Sequence, residues 1–238
     1  GSYGKFVISP LERGFGITLG NALRRTLLSS LPGAAFVNVK IEGAEHEFQN
    51  VDGVVEDVIT IILNLKRVVL NVDSEDPNYE AVVEIYKGEG EVTAADIIHS
   101  NEITVVNPEQ LIATLAPNSK IKMTIRIRNG VGYVNADENK KYCKDGVNRI
   151  IGLLTIDSIF TPVKKVNYTV ENTRVGSNTD REKLTVEVTT NATTKPDEAV
   201  SLAAKIMNDL LVLFVDLSED AKNTEIVKEK EESQKVKV

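Results

Sequence analysis

Hydrophobic residues along the chain follow two periods, and the switch between them divides it. The stretch Phe6–Leu11 is extended in character, with Pro10 closing it. A glycine-spaced loop, Gly14 to Gly20, leads into a helix through Asn21 and Leu28. Thr18 is its candidate N-cap and Pro32-Gly33 its stop. Residues Ala35–Glu42 alternate apolar and polar, which predicts a strand turning at Gly43. Asp52 caps a second predicted helix, Val54–Arg67, with Val54, Val58, Ile61, Ile62 and Leu65 on one dry face. From Val68 onward the period shortens. The β-branched runs Val68–Val72, Tyr79–Tyr86, Ile103–Val106, Ile121–Ile127 and Val166–Val170 are separated by turn residues and predict antiparallel sheet. Leu184–Val188 is one more strand. A third helix opens at Thr194-Lys195-Pro196-Asp197 and runs to about Leu217. Three helices segregated from many short strands define an α+β fold. The expected organisation is a strand-rich middle domain inserted into a domain made of both chain ends.

The third helix is too apolar for one core. Leu202, Ala203, Ile206, Leu210, Leu213, Phe214 and Leu217 share a stripe at helical spacing, which is read as a core face. Val200, Ala204, Met207, Leu211 and Val215 widen the arc to about twice the roughly 100° that a single core needs. Two coverings are open: another part of the same chain, or a partner subunit, most simply a twin across a two-fold axis. In the first helix, Leu19, Ala22, Leu23, Thr26 and Leu27 share a face, while Leu28 lies on the other side between Arg24 and Arg25. Two guanidinium groups beside a leucine suit a protein interface; a solvated arginine pair with an incidental leucine is the plainer alternative.

Composition narrows the classes. The chain has 238 residues, 42% hydrophobic and 26% charged, which is ordinary for a folded protein. No apolar run is long enough for a transmembrane helix, and no signal peptide is seen. One cysteine, Cys143, excludes an internal disulfide framework and a cysteine-rich zinc site, and fits a reducing compartment. A net charge of -7 gives no bulk attraction to nucleic acid. Gly1-Ser2 reads as a cloning scar, and residues 225–238 as a charged, solvated tail or linker.

Catalytic chemistry finds little support. The Gly14–Gly20 spacing invites comparison with a phosphate cradle, and a nucleotide- or small-molecule-binding enzyme using it is the alternative function. No Gly-Lys-Ser/Thr follows, however, and no clear βαβ unit surrounds it. His46 and His99 lack metal-ligand spacing, so no metal or cofactor is expected. Ser29, Ser30 and Cys143 have no base nearby in sequence. Lys140, Lys141 and Lys144 around Tyr142 form a small basic patch on an expected loop.

The run Leu11–Phe36 (LERGFGITLGNALRRTLLSSLPGAAF) closely resembles the signature of bacterial DNA-directed RNA polymerase alpha subunits. The stretches Asp52–Lys66, Val92–Ile97, Ile156–Val163, Tyr168–Gly176 and Pro196–Val215 extend the likeness in order, and it covers the chain to about residue 230. The resemblance is to the N-terminal, assembly half of the family. It implies a discontinuous dimerisation subdomain, residues 1–32 and 162–224, built of antiparallel sheet and two helices. A strand-rich subdomain with one helix, residues 33–161, is inserted in it. The DNA-binding half would lie past the tail at 225–238, so no direct DNA contact is expected of this chain. The implied function is a non-catalytic, cytoplasmic, nucleoid-associated scaffold that homodimerises and carries the beta and beta-prime subunits. Nucleotidyl transfer to RNA would then belong to those other subunits. By resemblance, Arg25 and Leu28 hold beta, and the segment His46–Val55 is a second beta-facing region. Lys66 and Ile156 face beta-prime. Leu19, Leu23, Leu27, Leu31, Met207, Leu211, Phe214 and Val215 form the dimer surface. The loop Asn129–Asp145 only partly follows the family pattern, and nothing is carried over there.

Overall fold

The structure, a computed structural model, describes residues 1–145, 148–224 and 235–237. In chain order the strands are β1 (Tyr3–Glu12), β2 (Pro32–Ile41), β3 (Leu70–Val72), β4 (Glu80–Thr93), β5 (Ile97–Ile98), β6 (Ile103–Val105), β7 (Leu111–Val131), β8 (Tyr133–Val134), β9 (Lys144–Asp145), β10 (Asn148–Arg149), β11 (Leu153–Thr155), β12 (Ser158–Ile159), β13 (Val163–Val175), β14 (Asn178–Thr190) and β15 (Lys235–Lys237). The helices are α1 (Phe15–Ser29), α2 (Val58–Leu65), α3 (Ala136–Asn139), α4 (Pro196–Val215) and α5 (Glu219–Lys222). The chain divides into two compact units: Gly1–Leu31 with Thr161–Val238, and Pro32–Phe160.

In the first unit, strands from both chain ends form one antiparallel sheet in the order β13-β14-β1-β15. Phe6 pairs with Val186 and Ile8 with Leu184. Phe6, Val163, Val166, Leu184, Val186 and Val188 supply the sheet's share of the core, and α1 closes it with Leu23 and Leu27. Helix α1 begins at Phe15, so the predicted glycine loop is itself helical. The glycines are explained by close approach rather than by turning. A Cβ on Gly16 would stand 2.6 Å from Val170 Cγ1, and one on Gly20 2.6 Å from Tyr168 Cδ2. Only Gly14, at φ 89°, uses the left-handed region, and it occupies the N-cap position expected of Thr18. At the chain end, Lys235–Lys237 pairs with β1 (Ile8 opposite Val236), so this piece of the expected tail is a short strand. The remainder of that tail, residues 225–234 and 238, lies outside the described residues.

In the second unit, a five-stranded antiparallel sheet runs β11-β2-β7-β4-β5. Val39, Ile41, Val83, Ile85, Met123 and Ile125 point from it into a core that α2 covers with Val58, Ile61 and Leu65. Helix α2 starts at Val58 rather than Val54, because Asp57 and not Asp52 caps it. The Asp57 carboxylate accepts from the Thr60 N–H at 2.9 Å. Residues before it are held by extended bridges, Asn50 to Asp57 and Val54 to Leu115. Gly33 in β2 lies against the backbone of Phe160, where a Cβ would stand 1.8 Å from the carbonyl oxygen. Gly33→Ala is therefore expected to destabilise the chain by about 2–3 kcal/mol through forced strand displacement. Urea unfolding would show a lowered midpoint, and an unchanged midpoint would contradict the close approach.

Candidate functional site

The start of α1 is the place where the sequence suggests an anion cradle. Two of the N–H groups there are already engaged. The Glu182 carboxylate, from β14, accepts from the N–H of Gly14 at 3.0 Å and of Gly16 at 2.9 Å. A negative group at the positive end of a helix is favourable, and these two bonds hold the Glu182 carboxyl below its usual range. A phosphate would have to displace this internal carboxylate, so the nucleotide alternative loses its geometric basis. A depressed folded pKa contributes stability above the unfolded value, about pH 4.3. That contribution is lost as pH falls through the folded value. Glu182→Gln should therefore melt below the unmodified chain at pH 7, with the gap closing toward pH 3. A gap independent of pH would contradict the assignment.

Further along α1, Leu23 and Leu27 are buried in their own unit, as is Leu31 just beyond the helix. This corrects their expected place on a dimer surface: a side chain enclosed by its own fold has nothing left to offer a twin. Leu19 and Leu28 are half-buried and pack against that core, so Leu28 is less bare than its angular position predicts. Arg24 donates through Nε to the Val166 carbonyl at 3.3 Å. Arg25 is exposed, and among the described residues it has no ion pair or side-chain hydrogen bond, which leaves its five donors available.

Helix α4 is covered at its beginning and bare at its end. Pro196, Ala199 and Ala203 are buried, and Val200, Ile206 and Met207 are partly so. The expected core stripe stops there. Leu202, Leu210, Leu213, Phe214 and Leu217, read from the sequence as core, are exposed. From Leu210 onward every apolar side chain is open, with Leu211 at 58%, Phe214 at 70% and Leu217 at 79% of full exposure. Covering a Leu, Val or Phe is worth roughly 1.5–3 kcal/mol when complete. This end of α4 is a contiguous apolar surface of the kind that marks an interaction site.

The second unit carries a different surface. Loop 43–57 leaves β2 at Gly43 (φ 89°) and is pinned by Ala44 and Val51 in the core. Gln49 braces its first half: its Nε2 donates to the Gly43 carbonyl at 3.0 Å, and its Oε1 accepts from the Glu45 N–H at 2.9 Å. His46 is thereby held out in solvent between Glu45 and Glu47. Lys66, at the end of α2, pairs with Asp157 at 2.9 Å. That hydrogen bond, joined by the Ala136 N–H, keeps the Asp157 carboxyl below its usual range. Ile156 is 1% exposed and part of the core. This corrects its expected role: it cannot touch a partner, and it positions its neighbour Asp157 instead. Asp157 was missed from the sequence because nothing links it to a lysine 91 residues away. Phe48 and Ile151, the barest large apolar residues here, were missed because single apolar residues in polar loops carry no period.

His99 is exposed and its Nδ1 lies 2.8 Å from the Ser100 carbonyl. Cys143 is buried. Arg128 and Lys141 both lie over the Tyr142 ring, so part of the expected basic patch is engaged; the Lys144 side chain lies outside the described residues. Among the described residues no cluster of His, Cys, Asp or Glu is arranged to hold a metal, and no helix is long and apolar enough to cross a membrane.

Comparison with known proteins joins these surfaces to a family. A family described as the RNA polymerase Rpb3/RpoA insert domain matches residues 39–161, nearly the whole second unit. The chain is 53% identical over 238 residues to the DNA-directed RNA polymerase subunit alpha of Desulforamulus reducens, covering all of this chain and 73% of that protein. The same subunit of Alkaliphilus metalliredigens is 53% identical over 237 residues, and that of Limosilactobacillus reuteri 52% over 238, with 73% and 74% of those proteins covered. Identity of this extent across both units means that the chain belongs to the family of DNA-directed RNA polymerase alpha subunits.

Proposed function

We propose that this chain is a non-catalytic scaffold of a bacterial DNA-directed RNA polymerase. Two copies associate through the bare end of α4, and the dimer carries the beta and beta-prime subunits, which hold the nucleotidyl-transfer chemistry. The observation that carries this reading is the run of open apolar side chains from Leu210 to Leu217. Such a surface requires a covering, and a second copy supplies the same surface in return. Met207, Leu211, Phe214 and Val215 form the seam; Leu19, Leu23, Leu27 and Leu31 support it from within.

Arg25, with Leu28 beside it, grips beta: a free guanidinium fork is suited to a partner carboxylate. His46 and its loop extend that grip. Lys66 serves beta-prime with Asp157 orienting it, and Ile156 acts from beneath. In a cytoplasmic polymerase the two copies meet different large partners, so each uses one set. Mixing the purified chain with beta and then beta-prime tests the reading. A stable complex of two copies with both large subunits is expected. A chain that stays apart from both contradicts it.

A further inference from the structure

The five-stranded sheet of the second unit has a face turned away from its core. An antiparallel sheet with one solvated side normally carries polar residues there. On this side, however, Val82, Tyr86 and Ile98 are 57%, 63% and 60% exposed. Strand register gathers them. Ile98 stands opposite Glu84, and Val82 and Tyr86 flank Glu84 on the same face of β4. Ile98 is thus diagonal to both, and residues so placed are about 7–8 Å apart. The three form one apolar patch with a single acid inside it.

Lysines border the patch. Lys122 stands opposite Tyr86, Lys120 opposite Gly88, and Lys40 beside Thr124, which itself faces Glu84. All three are exposed, and among the described residues none forms an ion pair. Farther along β7, Arg126 and Arg128 are answered by the two oxygens of Glu80, at 2.6 and 2.7 Å. The border is therefore cationic on a chain whose net charge is -7. Toward β11 the chain covers the same face itself. Asn38 donates through Nδ2 to the Tyr142 carbonyl at 3.3 Å, and the Arg128 guanidinium lies 4.0 Å from the centre of the Tyr142 ring. There the sheet already receives an apolar ring against a cation, while the side chains on β4 and β5 stay open.

We infer that this open part of the sheet face docks an acidic segment of a partner protein, one that presents an aliphatic or aromatic side chain between carboxylates. The apolar side chain packs on Val82, Tyr86 and Ile98, and the carboxylates meet Lys40, Lys120 and Lys122. Charge complementarity selects that chemistry: a cationic border around open apolar side chains favours an acidic segment and repels a basic one. Anchors carried on paired strands leave little to order on binding. A single strand of nucleic acid fits the patch less well. Two of its three anchors are aliphatic and offer no stacking plane, and Glu84 sets a negative charge at its centre. The inference is independent of the scaffold reading, because it uses none of the residues assigned to the twin copy, to beta or to beta-prime.

The test is titration of the intact chain, followed by amide shift mapping, with three probes. They are a synthetic peptide of alternating aspartate and leucine around a central phenylalanine, its lysine-for-aspartate counterpart, and an oligothymidine. The acidic peptide should bind and move the signals of Val82, Tyr86, Ile98 and Lys122, and the other two probes should not. Tyr86→Asp should keep its melting temperature, since the side chain is open, and lose at least about tenfold in Kd, the scale of an anchor lost. Tyr86→Phe should bind as the unmodified chain does, and Lys122→Glu should weaken binding. No binding of the acidic peptide, or shifts confined to another surface, would overturn the inference. So would equal affinity of Tyr86→Asp, which would leave only diffuse charge attraction, or tighter binding of the oligothymidine at Tyr86. Should Tyr86→Asp misfold, Ile98→Asp poses the same question at a second anchor, with equal affinity again overturning it.

Discussion

Leu211→Arg is expected to turn the dimer into a monomer of 26.1 kDa. Leu211 lies near the start of the bare end of α4 and is 58% exposed in the single chain, so its replacement leaves the subunit core untouched. In the proposed dimer the same position would be enclosed. Across a two-fold axis the substitution enters twice, placing two unpaired guanidinium groups in one apolar seam. A buried charge without a partner costs several kcal/mol, on the order of 3–5 for each. The lost leucine contacts add roughly 1.5–3 kcal/mol per copy. Light scattering should therefore find a single subunit with an unchanged circular dichroism spectrum. A dimer of unaltered strength would show that the helix is covered elsewhere.

Arg25→Ala is expected to do the reverse: the dimer persists and the complex with beta is lost. Arg25 is exposed on α1, outside the apolar end of α4, and among the described residues its side chain has no partner that its removal would orphan. Truncating an arginine that anchors a partner carboxylate costs about 2–4 kcal/mol, which is thirtyfold to a thousandfold in affinity. Arg25→Lys keeps the charge but not the planar fork, and should recover only part of the binding. Loss of dimerisation by Arg25→Ala would instead place this side chain against the twin subunit.

Much of the fold was legible because its signals are local. The alternation in Ala35–Glu42 and the proline and acids that open α4 correspond directly to β2 and α4. The glycines of α1 were misread because the sequence shows their spacing but not the strands they approach. Asp52 and Asp57 compete as caps for α2, and the extended bridges at Asn50 and Val54 decide between them. At the surfaces, the excess width of the apolar arc on α4 was visible, but which part of it the chain covers was not. Periodicity assigns angles around a helix, whereas coverage here ends along its length, after Met207. Ile156 illustrates the converse: the motif around it was legible, but its burial and the pairing of its neighbour Asp157 with Lys66 were not.

The most direct test of the assembly surface is the mass of the unmodified chain at sedimentation equilibrium, from high concentration down to the micromolar range. Coverage of α4 by a second copy predicts twice 26.1 kDa throughout. A mass of 26.1 kDa at every concentration would contradict it.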